Sequence, residues 1–181
     1  MARLPYLDAD DLPEDQRNLL SRPINLNRAL AHNPGALRTF GRMGQWIRHD
    51  GNLDPRLREL AIVQVGYSTA SPYEYSHHVK IGREFGLSDD DLRAVGANTA
   101  GESTHLGDIE LLVLRAAREM TDDLAVSGET WAGLEEHLDE ADLVELTLVI
   151  AFYNAVVRIL GTIEIDVEDS YVQYLDEFPL P

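Results

Sequence analysis

The chain has 181 residues and carries 32 acidic against 15 basic side chains, a formal net charge of −17 at neutral pH. Such a field repels nucleic-acid backbones and anionic membrane surfaces, so neither is expected as a partner. Cysteine is absent, which excludes disulfides, thiolate metal ligands and a thiol redox cycle within the chain. The opening MARLPYLDADDLP lacks a basic-then-apolar leader pattern, and a cytoplasmic location is expected. The most apolar run, Leu143–Leu160, holds Glu145, Asn154 and Arg158, which are costly in lipid. It reads as a buried helix, not a membrane span.

The composition shows no linker, so residues 1–181 are read as a single domain with an arm, a core and a tail. The arm, residues 1–34, is rich in Asp, Leu and Pro, with a short helix around Glu14–Leu20 and a second over Asn25–His32, ended by Asn33-Pro34. The helical core, residues 35–160, opens with Gly35–His49. Leu37, Phe40, Met43, Trp46 and Ile47 make an apolar stripe there, suited to a core or a subunit interface. After a turn at Asp50-Gly51-Asn52, Leu53–Leu87 reads as helix, tight turn, helix. Asp54 and Pro55 mark the first start, Gly66–Ala70 the break, and Gly86 the end. Ser88 caps a further helix, 96–107 reads as loop, and Asp108–Thr121 is amphipathic. Ser127 or Gly128 introduces a helix through His137, and Asp139–Leu160 is the last long one. The acidic tail, residues 161–181, offers Tyr171, Tyr174 and Phe178 as anchors against a neighbour. Only the short Thr162–Val167 alternates at period two, so the fold class is all-α.

The chemistry concentrates on the central hairpin. Ser71, Glu74 and His78 fall at i, i+3 and i+7 and share one helix face. The turn can return Glu59 against that face, so that two carboxylates and an imidazole meet near a helix N-terminus. Glu74, one turn before His78, can pair with it. A purely structural reading exists for Ser71 and Glu74 as a capping box, and His77 reads as structural or interfacial. Glu74-x-x-His77 has the spacing of di-iron bundles, but its one counterpart, Glu102-x-x-His105, falls in the expected loop. No metal site is expected. Asn154 and Arg158 lie one turn apart in an apolar helix, and a buried arginine there needs a carboxylate, from Glu59, another acid or a ligand.

The stretch RELAIVQVGYSTASPYEYSHHVKIGREFGLSDDDLRAV resembles the core of the carboxymuconolactone decarboxylase and alkylhydroperoxidase D-like superfamily. Its redox branch carries a glutamate and, after eleven residues, C-x-x-C-x-x-x-H. Glu59, Ser71, Glu74 and His78 occupy those positions, with both cysteines replaced. The run Tyr73-Glu74-Tyr75-Ser76-His77-His78 is similar to the aromatic-rich segment of the non-redox branch, and ALAHNP precedes the core as in longer members. The resemblance implies an alkylhydroperoxidase D-like helical bundle built on the central hairpin, assembled as a homo-oligomer, a dimer or a trimer of dimers. It implies cofactor-free decarboxylation or proton transfer on a small carboxylated or keto-lactone compound. His78, Glu74 and Glu59 would be catalytic, with Ser71, Tyr75, Asn154 and Arg158 binding the substrate. Two alternatives stay open: a peroxidase-related member without its redox cysteines, and a non-catalytic ligand-binding scaffold. A polar pocket holding Glu59, Glu74 and His78 separates the catalytic reading from the scaffold.

Overall fold

Helix starts in this chain are set by short polar caps followed by proline or acidic residues, and a computed structural model describing residues 2–181 shows them in place. Every regular element among the described residues is helical: α1 (Asn25–Leu30), α2 (Pro34–Gln45), α3 (Pro55–Ser68), α4 (Pro72–Glu84), α5 (Asp89–Thr99), α6 (Asp108–Asp122), α7 (Gly128–Glu135), α8 (Glu140–Ile163) and α9 (Asp169–Glu177), with short 3-10 turns over Ala9–Asp11 and Glu14–Leu20. Asn33 caps α2 by accepting from the Ala36 amide, and Asp54 caps α3 through the amides of Arg56 and Leu57, each with proline at the first position. Ser88 and Asp91 exchange hydrogen bonds in a reciprocal cap on α5.

The core is built around α3, which is buried without a break from Arg58 to Gly66 and packs against α4, α5, α6 and α8. A helix buried on all sides is a central one. At Gly66 a Cβ would stand 3.0 Å from the Tyr75 amide nitrogen, so glycine is what lets α4 approach α3 this closely. α8 is long and apolar enough to cross a membrane, yet more than half of that stretch is buried inside the bundle, as befits a core helix.

Three expectations from the sequence are corrected. Gly35–His49 is not one regular helix: α2 ends at Gln45 and Trp46–Asp50 widens into a π turn. Arg58 takes up the carbonyls of Ile47 and Arg48 there, each at 3.3 Å. α5 runs on to Thr99, into the expected loop, because Thr99 bonds Gln64 of α3 and Asn98 receives Arg118 of α6. The tail carries helix α9 where only anchors were read, and it lies along α4. Its aromatics make their contacts within the chain: Tyr171 stacks on His77 at 3.7 Å, and Phe178 is buried under Arg83. Residues 162–167 pair with no strand; α8 closes at Glu164 in the left-handed conformation. The α2 stripe divides, with Leu37 and Ile47 buried, Phe40 against Phe152, and Met43 and Trp46 exposed.

Candidate active site

The tight turn after α3 folds α4 back along it and sets His78 opposite Glu59. His78 Nδ1 lies 2.7 Å from Glu59 Oε2, and His78 Nε2 lies 3.1 Å from Glu74 Oε1, one turn earlier on α4. All three side chains are almost sealed from solvent. Behind them, Arg58 Nε donates to Glu59 Oε1 at 3.1 Å, and the Arg58 guanidinium sits 4.5 Å from the Phe85 ring. The result is a line of polar side chains, Arg58, Glu59, His78, Glu74, running from the π turn toward a cavity.

The two carboxylates are pushed in opposite directions. Burial opposes ionisation of Glu59, but the adjoining His78 and Arg58 outweigh it and hold its pKa below the ordinary value. At Glu74 burial prevails over the pull of His78, and repulsion from Glu59 adds to it, so its pKa is raised. Ionised Glu59 accepts the Nδ1 proton, which leaves Nε2 as the nitrogen facing Glu74. The Nε2–Oε1 approach is short but too poorly aligned for a hydrogen bond, so Glu74 Oε1 is a buried oxygen without a partner.

Glu74 and His78 form part of the wall of a cavity of about 710 Å³. Its buried side is apolar, with Leu26, Leu37, Ile81 and Val156, together with the half-buried Phe40 and Phe152. Tyr153 of α8 also faces it, with its ring edge-on to His78 at 4.9 Å. Burial, and then the field of Glu74 and Glu59, raise the Tyr153 pKa, so its hydroxyl stays a donor. The exposed side carries Arg22, Arg38 and Arg42, with the half-buried Arg48. His77, also on the wall, is stacked between Tyr73 and Tyr171, with Nδ1 2.8 Å from the Tyr73 carbonyl and Nε2 3.2 Å from Glu168. Burial lowers its pKa against the influence of Glu168.

Of the residues singled out in the sequence, Glu59, Glu74 and His78 are brought together, Glu74 and His78 on the cavity wall and Glu59 behind His78. The others lie elsewhere. Ser71 occupies the N-cap of α4, but its side chain makes no capping bond; the expected capping box is missing because Glu74 is turned to His78. Tyr75 is buried in the core beside Tyr67. Asn154 is buried and donates to Thr121, while Arg158 is exposed, not buried, and donates to the Asn154 carbonyl and side chain. Neither lines the cavity: Tyr153 and Val156 hold the cavity face of α8, and Arg158 falls on another. The arginine against Glu59 is Arg58, its chain neighbour. Glu102 is exposed, and His105 lies 3.0 Å from Asp91. The sequence reading missed Arg58, Tyr153 and the four arginines of the cavity. A signal existed for Arg38 and Arg42, two cations one turn apart with Gly41 between them.

The fold these elements build is the alkylhydroperoxidase D-like one. A peroxidase-related protein from Ralstonia eutropha, described as an alkylhydroperoxidase AhpD core, superposes with a TM-score of 0.80 at 22% identity, covering 99% of this chain and 98% of the other. The debrominase Bmp8, as a cysteine-to-alanine variant with 2,3,4-tribromopyrrole, gives 0.80 at 19% identity over 96% and 95%. A peroxidase-related protein from a Silicibacter species gives 0.78 at 20% identity over 94% and 93%. Within that fold, residues 34–104 match the Carboxymuconolactone decarboxylase family. The matched stretch contains Glu59, Glu74 and His78. No curated protein matches the chain in sequence.

Proposed function

We propose that the protein is a cofactor-free acid–base catalyst that decarboxylates, or moves a proton at carbon in, a small carboxylated or keto-lactone compound. The observation that carries the reading is the His78 ring on a cavity wall, with Nδ1 2.7 Å from Glu59 and Nε2 3.1 Å from Glu74, the first carboxylate held below its ordinary pKa and the second pushed above it. Pairs of titratable groups pushed apart in this way are the usual arrangement for acid–base work at neutral pH. In this reading Glu74 and His78 Nε2, 3.1 Å apart, form the pair that holds the proton the reaction uses. In decarboxylation the substrate's C–C bond breaks, carbon dioxide leaves, and the electron pair moves into an enolate, which Tyr153 stabilises by donating its hydroxyl to the oxygen. The Glu74–His78 pair then delivers its proton to carbon and is recharged from solvent. In proton transfer the same pair, deprotonated, removes hydrogen next to a carbonyl. The family name of residues 34–104 supports lyase chemistry. The peroxidase-related names among structures of this fold do not transfer to a chain without cysteine.

The same reading carries a cytoplasmic homo-oligomer, and the exposed Met43 and Trp46 of the α2 end, beside Leu148 of α8, support an interface. The test of function is a panel of keto acids and keto-lactones, followed for carbon dioxide release and for deuterium uptake from heavy water. His78→Gln is expected to lower any rate found by roughly two to four orders of magnitude while leaving the fold intact. Turnover by the variant at the wild-type rate would sink the assignment.

A further inference from the structure

The cavity is charged in a way the rest of the chain is not. Most arginines are committed: Arg3, Arg17, Arg28, Arg56, Arg58, Arg83, Arg93 and Arg115 pair with carboxylates. Arg118 and Arg158 are bonded to neutral side chains. Among the described residues, the guanidinium groups left with neither an acidic partner nor a hydrogen bond are those of Arg22, Arg38, Arg42 and Arg48, and all four line this cavity. They come from three separate parts of the chain: the segment before α1, α2 itself, and the π turn. In a protein of net charge −17, unpaired cations gathered at one opening draw anions to it. Asp50 is the only exposed acid on the same wall.

The interior has the opposite character. Leu26, Leu37, Phe40, Ile81, Phe152 and Val156 give it an apolar surface, and about 710 Å³ is room for a drug-sized body. α2 keeps that space open. Gly41 and Gly44 line the cavity, and a Cβ at either would meet nothing within 4 Å. Glycine weakens a helix interior, so its presence here is explained by room, not by helix stability. At the deep end stands Glu74 Oε1, buried and without a partner.

We propose that this cavity takes an amphipathic organic acid, with its anionic group held by the arginine rim and its apolar body seated inside. The proposal rests on the acid–base reading for one point, that the end of the body reaching Glu74 and His78 is the end that reacts. The rim and the reacting pair are then separate, so the anchoring anion is a handle for recognition. Arg22 and Arg48 are near enough for their charge to reach Glu74; Arg38 and Arg42 stand one turn apart on α2 along the same wall.

Calorimetry with octanoate, octan-1-ol and octylamine tests this without knowledge of the natural substrate. Octanoate is expected to bind at least about tenfold more tightly than the alcohol, because exposed charge pairs contribute roughly twofold to fivefold each, and octylamine more weakly than either. Arg38→Ala with Arg42→Ala is expected to bring octanoate close to the alcohol and leave the alcohol unchanged. Gly41→Phe, checked for fold by circular dichroism, is expected to abolish binding of both; Gly44→Leu serves the same purpose should the first variant unfold. Equal affinity for octanoate and the alcohol, no binding of any of the three, or no effect of the double substitution overturns the proposal. His78→Gln separates the two readings, since it is expected to retain octanoate binding. Selective binding with no catalysis by the wild type on any substrate tried counts against the acid–base reading alone. Catalysis with no preference for the anion counts against the rim alone.

Discussion

The imidazole of His78 is held between two carboxylates that differ in what stands behind them. Glu59 is backed by Arg58, whereas Glu74 is backed by the cavity. Their stability contributions therefore have opposite signs with pH. Glu59, with its pKa lowered, contributes stability that is present above its unfolded pKa and lost as pH falls through the folded one. Glu74, with its pKa raised, contributes stability present below its unfolded pKa and lost as pH rises through the folded one. Glu74→Gln removes the second effect and keeps the shape. Its Tm is expected to match the wild type in acid and to exceed it increasingly as pH rises from 4.5 to 8.5; a gap that closes or reverses with rising pH would contradict the charge assignment. Tyr153→Phe deletes a hydroxyl that makes no hydrogen bond among the described residues, so Tm should barely move, while kcat on any active substrate should fall by roughly tenfold or more as the oxyanion loses its donor. An unchanged kcat would remove Tyr153 from the mechanism. At this scale the sequence was informative about Glu59, Glu74 and His78, because their spacing on a hairpin forces them together. It was silent about Tyr153, whose place in an apolar helix reads as core, and misleading about Arg158, whose partner is Asn154 on its own helix.

Helices carry the site through close approach and through one irregularity. α3 and α4 touch at Gly66, with no space for a Cβ beside the Tyr75 backbone. Gly66→Ala must push α4 away from α3, with Glu59 on one side of the gap and His78 on the other. A loss of about 1–3 kcal/mol is expected from such overpacking, seen as a lower denaturant midpoint; a variant as stable as the wild type would show that the contact is not tight. The π turn at Trp46–Asp50 ties α2 to the site, since Arg58 bonds its carbonyls and Glu59 at once. Regular helix starts were legible from Asn33, Asp54, Ser88 and their following residues, because caps are local chemistry. The π turn, the extension of α5 and helix α9 were not, because each is fixed by side chains distant in sequence. For α9 these are His77, stacked on Tyr171, and Arg83, paired with Glu177.

Across the whole molecule, charge and apolar surface are distributed unevenly. The acid excess lies outside the cavity mouth, where Arg22, Arg38, Arg42 and Arg48 converge from segments that no local periodicity connects. Only the folded chain shows them as one group. Met43, Trp46, Val144 and Leu148 remain exposed on α8 and the α2 end, and a homo-oligomer that covers them is our proposal for the assembly. Light scattering at micromolar concentration should give at least a dimer, with Trp46→Asp shifting it toward the protomer; a monomeric wild type would refute this. The measurement closest to the central claim needs neither substrate nor partner. Long-range proton–nitrogen NMR of the His78 ring, at a pH where it is neutral, reports which nitrogen carries the proton. With Glu59 ionised behind it, the proton is expected on Nδ1, leaving Nε2 bare toward Glu74 and the cavity. A proton found on Nε2, with Nδ1 bare against Glu59, would contradict the account.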